Sequence, residues 1–218
     1  MKKFFICLTN LIMGLFLCSL GVAITLRANI GYAPWDVFHV GLANTLGLSI
    51  GTIVLSVGIV VFIIVIILGE KFGLASILNV LLTGVFLDII LMNNIIPIAK
   101  NFVIGVSMLI FGLFVISIGS YFYIKPGFGA GPRDSLMVAV TRKTKFPVGV
   151  CRFSIEFIVT LVGWLLGGMV GAGTVIFVAL VGLFIQVTFR LLKFDVTAVK
   201  HESLKETFDS LFIKKTAM

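Results

Sequence analysis

Six long apolar runs dominate the pattern of hydrophobic and polar positions. They cover roughly Phe4–Leu26, Ile50–Leu68, Leu74–Met92, Phe102–Ile124, Phe153–Leu166 with Val150 and Cys151 ahead of it, and Thr174–Leu192. A helix needs about 20 residues to cross the hydrocarbon core of a bilayer, so each run predicts one crossing. The fifth is short unless its helix continues through Gly167 and Gly168. Two further segments, Pro34 to Gly47 and Pro132 to Lys145, are too short to cross. Each opens with proline, which suits the first helical position because its missing N–H has no helical partner there anyway. Each could make a helix of ~21 Å at 1.5 Å per residue, against a hydrocarbon core of ~30 Å. They predict half-helices, re-entrant or lying at the interface.

The whole pattern occurs twice, at an offset of 98 residues and with no gap. Gly14, Gly21, Gly31, Pro34 and Asp36 fall on Gly112, Gly119, Gly129, Pro132 and Asp134. Gly51, Gly69, Gly73 and Gly84 fall on Gly149, Gly167, Gly171 and Gly182. Seven of the ten glycines between Gly14 and Ile90 meet a glycine in this way, several times what chance would give. A duplicated hydrophobic chain is a common ground plan for membrane transporters. Residues 1–98 are read as a first membrane repeat, 99–192 as a second, and 193–218 as a cytoplasmic tail. In that tail Ser203 and Glu206 have the spacing of a capping box. Leu204, Phe208, Leu211 and Phe212 follow on one helical face, which predicts a short amphipathic helix.

Composition fixes the solvent. The 218 residues are 60% hydrophobic and only 12% charged, with a mean hydropathy of +1.22. Soluble domains average about 25% charged residues, and no soluble fold of this size could hide so many apolar side chains. The lipid bilayer is therefore the principal partner. The lysine–lysine start and first apolar run imitate a signal peptide, and Leu15–Cys18 resembles a lipidation box. Bulky Leu17 and the internal recurrence of the segment argue that this run is a retained span.

Net charge, +8, is a topology signal here and not a footprint for nucleic acid. With the N-terminus inside and six crossings, fifteen basic residues lie inside and only Arg27 and Lys100 outside. If both short segments crossed as well, the split would be 13 to 4, which fits the positive-inside rule less well. Three crossings per repeat is an odd number, so the second copy enters upside down. The expected fold is an all-α integral membrane protein: six transmembrane helices in two three-helix inverted-topology repeats, each with a proline-initiated half-helix, and both termini cytoplasmic.

Candidate chemistry gathers at the half-helices, in Gly31-Tyr32-Ala33-Pro34-Trp35-Asp36 and Gly129-Ala130-Gly131-Pro132-Arg133-Asp134. With proline at the first helical position, each aspartate sits at the third, beside free N–H groups and the positive end of the helix dipole. Each carboxylate could simply stabilise its own half-helix, or it could line a substrate or ion path with the glycines admitting close backbone approach. His39 follows Asp36 by three residues, on the same face, and could pair with it or carry protons. Its counterpart is Met137. Asp88 and its counterpart Gln186 are polar at matching depth, suited either to a helix–helix hydrogen bond or to a coordinating group. Glu156, four residues after Arg152, predicts an ion pair. Trp35 reads as an interfacial anchor.

Cys7, Cys18 and Cys151 show no paired spacing, and with His39 and His201 the only histidines a metal site has little to build on. No cofactor is implied, and no nucleophile–base set supports an enzyme. The stretch Gly31–Leu42, with Leu48–Thr52, Gly129–Met137 and Phe146–Gly149, resembles the YczE/YitT-like bacterial membrane proteins. That resemblance implies a multi-pass protein of the bacterial plasma membrane. Two functions stay open at this point: a small-solute or ion transporter with its site at the half-helices, or a non-transporting accessory protein supporting other membrane or biosynthetic machinery. The chain is short enough for a homodimer to be the working unit.

Overall fold

The computed structural model describes residues 2–70, 72–195, 199, 204 and 206. Among these residues there are eight α-helices and no strand. They are α1 (Lys2–Arg27), α2 (Pro34–Leu46), α3 (Ile50–Ile67), α4 (Leu74–Met92), α5 (Phe102–Ile124), α6 (Pro132–Thr144), α7 (Val148–Leu165) and α8 (Ala172–Leu191). All except α2 and α6 are long and apolar enough to cross a membrane.

α1 and α5 form the centre. A Cβ added at Gly14 would sit 2.9 Å from the Gly119 carbonyl oxygen, and one at Gly21 would sit 2.8 Å from that of Gly112. The pairing runs in opposite directions along the two helices, so they lie antiparallel with backbones in near contact. Glycine is required there because any side chain would hold the helices apart. Ala99 N–H bonds the Arg27 carbonyl at 2.9 Å, which places the start of α5 at the end of α1. The bundle thus has an Arg27 end and a Lys125 end.

The remaining crossings are fixed by hydrogen bonds at those two ends. α4 finishes at the Arg27 end, where Arg27 Nη2 donates to the Leu91 carbonyl (2.9 Å) and to Asn94 Oδ1 (2.8 Å). α8 starts there, its Gly173 N–H bonding the Ile30 carbonyl at 2.8 Å, and α4 starts at the other end, its Ala75 N–H bonding the Phe128 carbonyl at 2.9 Å. These two bonds are 98 residues apart at both partners. The same holds for the caps: Gly73 N–H donates to Ser76 Oγ (3.3 Å) and Gly171 N–H to Thr174 Oγ1 (3.2 Å).

Sequence chemistry explains the half-helices. Ala33 and Gly131 are extended N-caps, proline follows each, and Gly47 (φ 67°) and Lys145 (φ 60°) end the helices in the left-handed region. That conformation suits glycine and is uncommon for lysine. α2 lies between the end of α1 and the start of α3, both at the Arg27 end. α6 lies between the end of α5 and the start of α7, both at the Lys125 end. Each half-helix packs on a helix of the other half, α2 on α7 and α6 on α3. Asn44 Nδ2 donates to the Gly167 carbonyl (3.4 Å), and Arg142 Nη2 donates to the Leu68 carbonyl (2.7 Å).

Two expectations shift. α7 starts five residues before Phe153, at Val148, and stops at Leu165, so its length comes from the front and not through Gly167 and Gly168. Arg152 does not interrupt it, because the charge is met by Glu156 one turn on, at 3.0 Å. Gly167, at φ 89°, ends it. The expected amphipathic tail falls mostly outside the described residues. Of it, Leu204 N–H donates to the Phe72 carbonyl at 3.0 Å.

Candidate functional site

The first turns of α2 and α6 meet in the interior of the bundle. The Arg133 guanidinium lies over the Trp35 ring, 4.9 Å from its centroid, and Arg133 Nη2 is 3.5 Å from His39 Nε2. His39 Nδ1 is in turn 3.5 Å from Asp36 Oδ1. Asp36 is 6% exposed and His39 1%. A carboxylate this deeply placed needs compensation. It comes from the free N–H groups and dipole of α2, from the His39 imidazole, and from Arg133, which is within electrostatic reach of both Asp36 and Asp134.

Arg133 and Asp134 are accessible, and the space they face is a cavity. One cavity of about 180 Å³ lies between α1, α3, α4 and the two helix tips, with Ser19, Asn79, Thr83 and Tyr123 among its polar lining. A second, of about 530 Å³, lies between α6, α7, α8 and the tip of α2, and includes Arg152 and Glu156. Trp35, Arg133 and Asp134 line both. The tips of the two half-helices therefore bring a cation, two carboxylates, an imidazole and an indole to the wall of the smaller cavity. Such a set can hold a small polar solute or ion and exchange protons with it.

The other candidates have separate places. Gly31 (φ 117°) and Gly129 (φ 104°) press on the starts of α8 and α4: added Cβ atoms would lie 2.7 Å from Gly171 N and 2.8 Å from Gly73 Cα. They shape the approach to the tips. Pro34 and Pro132 open the half-helices, and a Cβ at Gly131 would come within 3.1 Å of the Tyr123 hydroxyl. Asp88 stands apart from both cavities. It ties α4 to the start of α3, accepting from Gly51 N–H at 2.7 Å and from the Ser49 hydroxyl. Gln186, its counterpart, is exposed on α8.

Two residues were missed as members of the site. Trp35 is the platform under Arg133. Tyr123 is buried, and among the described residues its hydroxyl oxygen has no hydrogen-bond partner. Its counterpart Thr25 is also a hydroxyl in an apolar run, a signal that the 98-residue alignment carries.

YczE of Bacillus subtilis, an uncharacterized membrane protein, is 31% identical over 175 residues, which is 79% of this chain and 80% of that one. An uncharacterized protein of Haemophilus influenzae is 30% identical over 176 residues, 81% of this chain and 80% of that one. A third, the uncharacterized protein YyaS of Bacillus subtilis, is 25% identical over 181 residues, 80% of this chain and 88% of that one. No solved structure matches. Residues 5–190 match the family of unknown function DUF6198, and with YczE alike over most of both chains, this multi-pass membrane protein belongs to that family.

Proposed function

We propose that the chain transports a small polar solute or ion across the bacterial plasma membrane. In this reading residues 1–98 and 99–192 are inverted-topology repeats and both termini are cytoplasmic. The Arg27 end is then external, and the Lys125 end, which carries Lys143, Lys145 and Arg152, is internal. α2 and α6 are re-entrant and dip from opposite faces. Their tips meet near the midplane, and the non-helical backbone before each tip is tolerable at that depth because it is buried or lines a cavity.

The observation that carries the reading is the placing of Asp36, His39, Arg133 and Asp134 together at the head of a cavity. Charged side chains inside a bilayer are expensive, face cavities and mark solute paths. Packing alone would be served by apolar residues at these positions. The test is uptake into proteoliposomes holding the purified chain, with a panel of labelled amino acids, organic acids and monovalent cations. We expect saturable uptake that falls at least tenfold in Asp36→Asn and in Asp134→Asn. Uptake unchanged in both variants would remove the site, and no uptake of any panel member above empty liposomes would count against transport. Truncation after Lys193 separates this reading from an accessory role: transport should largely survive it, whereas an adaptor working through its tail should fail.

A further inference from the structure

The two halves agree in their caps and end-to-end hydrogen bonds but differ in packing: α2 lies more closely on α7 than α6 does on α3, and the largest contrast is between α3–α4 and α7–α8. α3 and α4 pack tightly, and their counterparts α7 and α8 barely touch. At the tight interface, a Cβ at Gly84 would lie 2.4 Å from the Gly51 carbonyl oxygen. Among the described residues, added Cβ atoms at the counterparts Gly182 and Gly149 would have nothing within 4 Å. Gly182, interior to α8, costs about 0.5–1 kcal/mol relative to alanine with no packing gained in return. Asp88 locks the tight interface through Ser49 and Gly51, while Gln186 is left exposed. The gap between α7 and α8 is the larger cavity, and it leads to Trp35, Arg133 and Asp134.

We infer that α7 and α8 form a gate that closes onto Gly149 and Gly182, and that α3 and α4 form the matching gate that opens when it does. The structure is one of two states, with the α7–α8 gate open and the α3–α4 gate shut. In the other state the Gln186 side-chain carbonyl accepts from the Gly149 N–H, as Asp88 does from Gly51 here, and the Asp88 lock is released. The same central residues then face the opposite end. The inference rests on the repeat reading above, and it holds whatever the solute.

Disulfide trapping reads the two gates separately. At the shut gate an added Cβ at Gly58 would lie 3.4 Å from a Val80 methyl carbon and 3.8 Å from its Cα, a separation a disulfide can bridge. Gly58 and Val80 border the smaller cavity, and their counterparts Glu156 and Val178 line the larger one. In a chain carrying Cys7→Ala, Cys18→Ala and Cys151→Ala, the pairs Gly58→Cys/Val80→Cys and Glu156→Cys/Val178→Cys are oxidised in native membranes with copper phenanthroline. We expect the first pair to link readily and the second slowly. Asp88→Ala should raise the second several-fold and lower the first, and the milder Ser49→Ala should do the same to a lesser degree. Gly182→Trp should abolish the second and leave the first intact. A second pair that never links while the first does, or two pairs that rise together in Asp88→Ala, would overturn the gate. Reciprocal linking without solute uptake would keep the gate and remove the transport reading.

Discussion

The same substitution, glycine to alanine, should have opposite effects at Gly84 and Gly182. At Gly84 the new methyl would fall 2.4 Å from the Gly51 oxygen and 3.2 Å from Leu55 Cβ. Carbon–oxygen contacts across helix interfaces settle near 3.3–3.6 Å, so α4 must retreat from α3 by about 1 Å. Overpacking of this kind costs about 1–3 kcal/mol. The retreat also pulls on Asp88, one turn further along α4, and on its 2.7 Å bond to Gly51 N–H. At Gly182 the methyl meets none of the described residues within 4 Å, and what remains is the helix preference of alanine, a gain of about 0.5–1 kcal/mol. Alanine brings that same gain at Gly84, so the two variants should differ by the overpacking cost, about 1–3 kcal/mol. Unfolding of the purified protein in mixed micelles, by titration with sodium dodecyl sulfate and followed by circular dichroism, measures the difference. Gly182→Ala losing as much stability as Gly84→Ala would refute the reasoning, because α7 and α8 would then be packed as α3 and α4 are.

Three further outcomes are expected. Arg133→Lys keeps the charge and loses the flat stacking on Trp35, a loss of about 0.5–1 kcal/mol; in a Trp164→Phe background the Trp35 emission should shift, and an unchanged spectrum would separate the two residues. Ser76→Ala removes the group that caps α4 and donates to the Ala130 carbonyl, which should cost about 1 kcal/mol in the same micelle titration; Thr174→Ala should match it at the start of α8. Leu46→Cys and Phe146→Cys, both well exposed just at the ends of α2 and α6, should react with a membrane-impermeant maleimide from opposite faces of sealed vesicles; labelling from one face alone would rule out opposed half-helices.

Much of this architecture was legible in the residues because hydropathy and proline act locally. Pro34 and Pro132 start helices by their fixed φ, and glycine at Gly47 ends one. Lys145 ends the other in the left-handed region against its own preference, and only alignment with Gly47 could have signalled it. The start of α7 was hidden because Gly149 and Arg152 lower the local hydropathy while doing nothing to stop a helix. Arg152 and Glu156 pair as their spacing predicts. Asp88 was legible as polar and deep, but its choice between a structural bond and a solute site depends on Ser49 and Gly51, which reach it only through the crossing of α3 with α4. The open gap between α7 and α8 was invisible for a stronger reason: Gly149 and Gly182 read the same as Gly51 and Gly84. Two glycines permit a close crossing without imposing one.

The exchange of half-helices, α2 resting on α7 and α6 on α3, bears on how the chain is made. Residues 1–98 leave the ribosome with the surface that α2 needs still unsynthesised. α2 can settle only after α7 has inserted, more than a hundred residues later. Until then its buried carboxylate and its loop must be sheltered by lipid headgroups or by the insertion machinery. Assembly is therefore all-or-none across the full chain, and two separately expressed halves should complement only when they insert in opposite orientations.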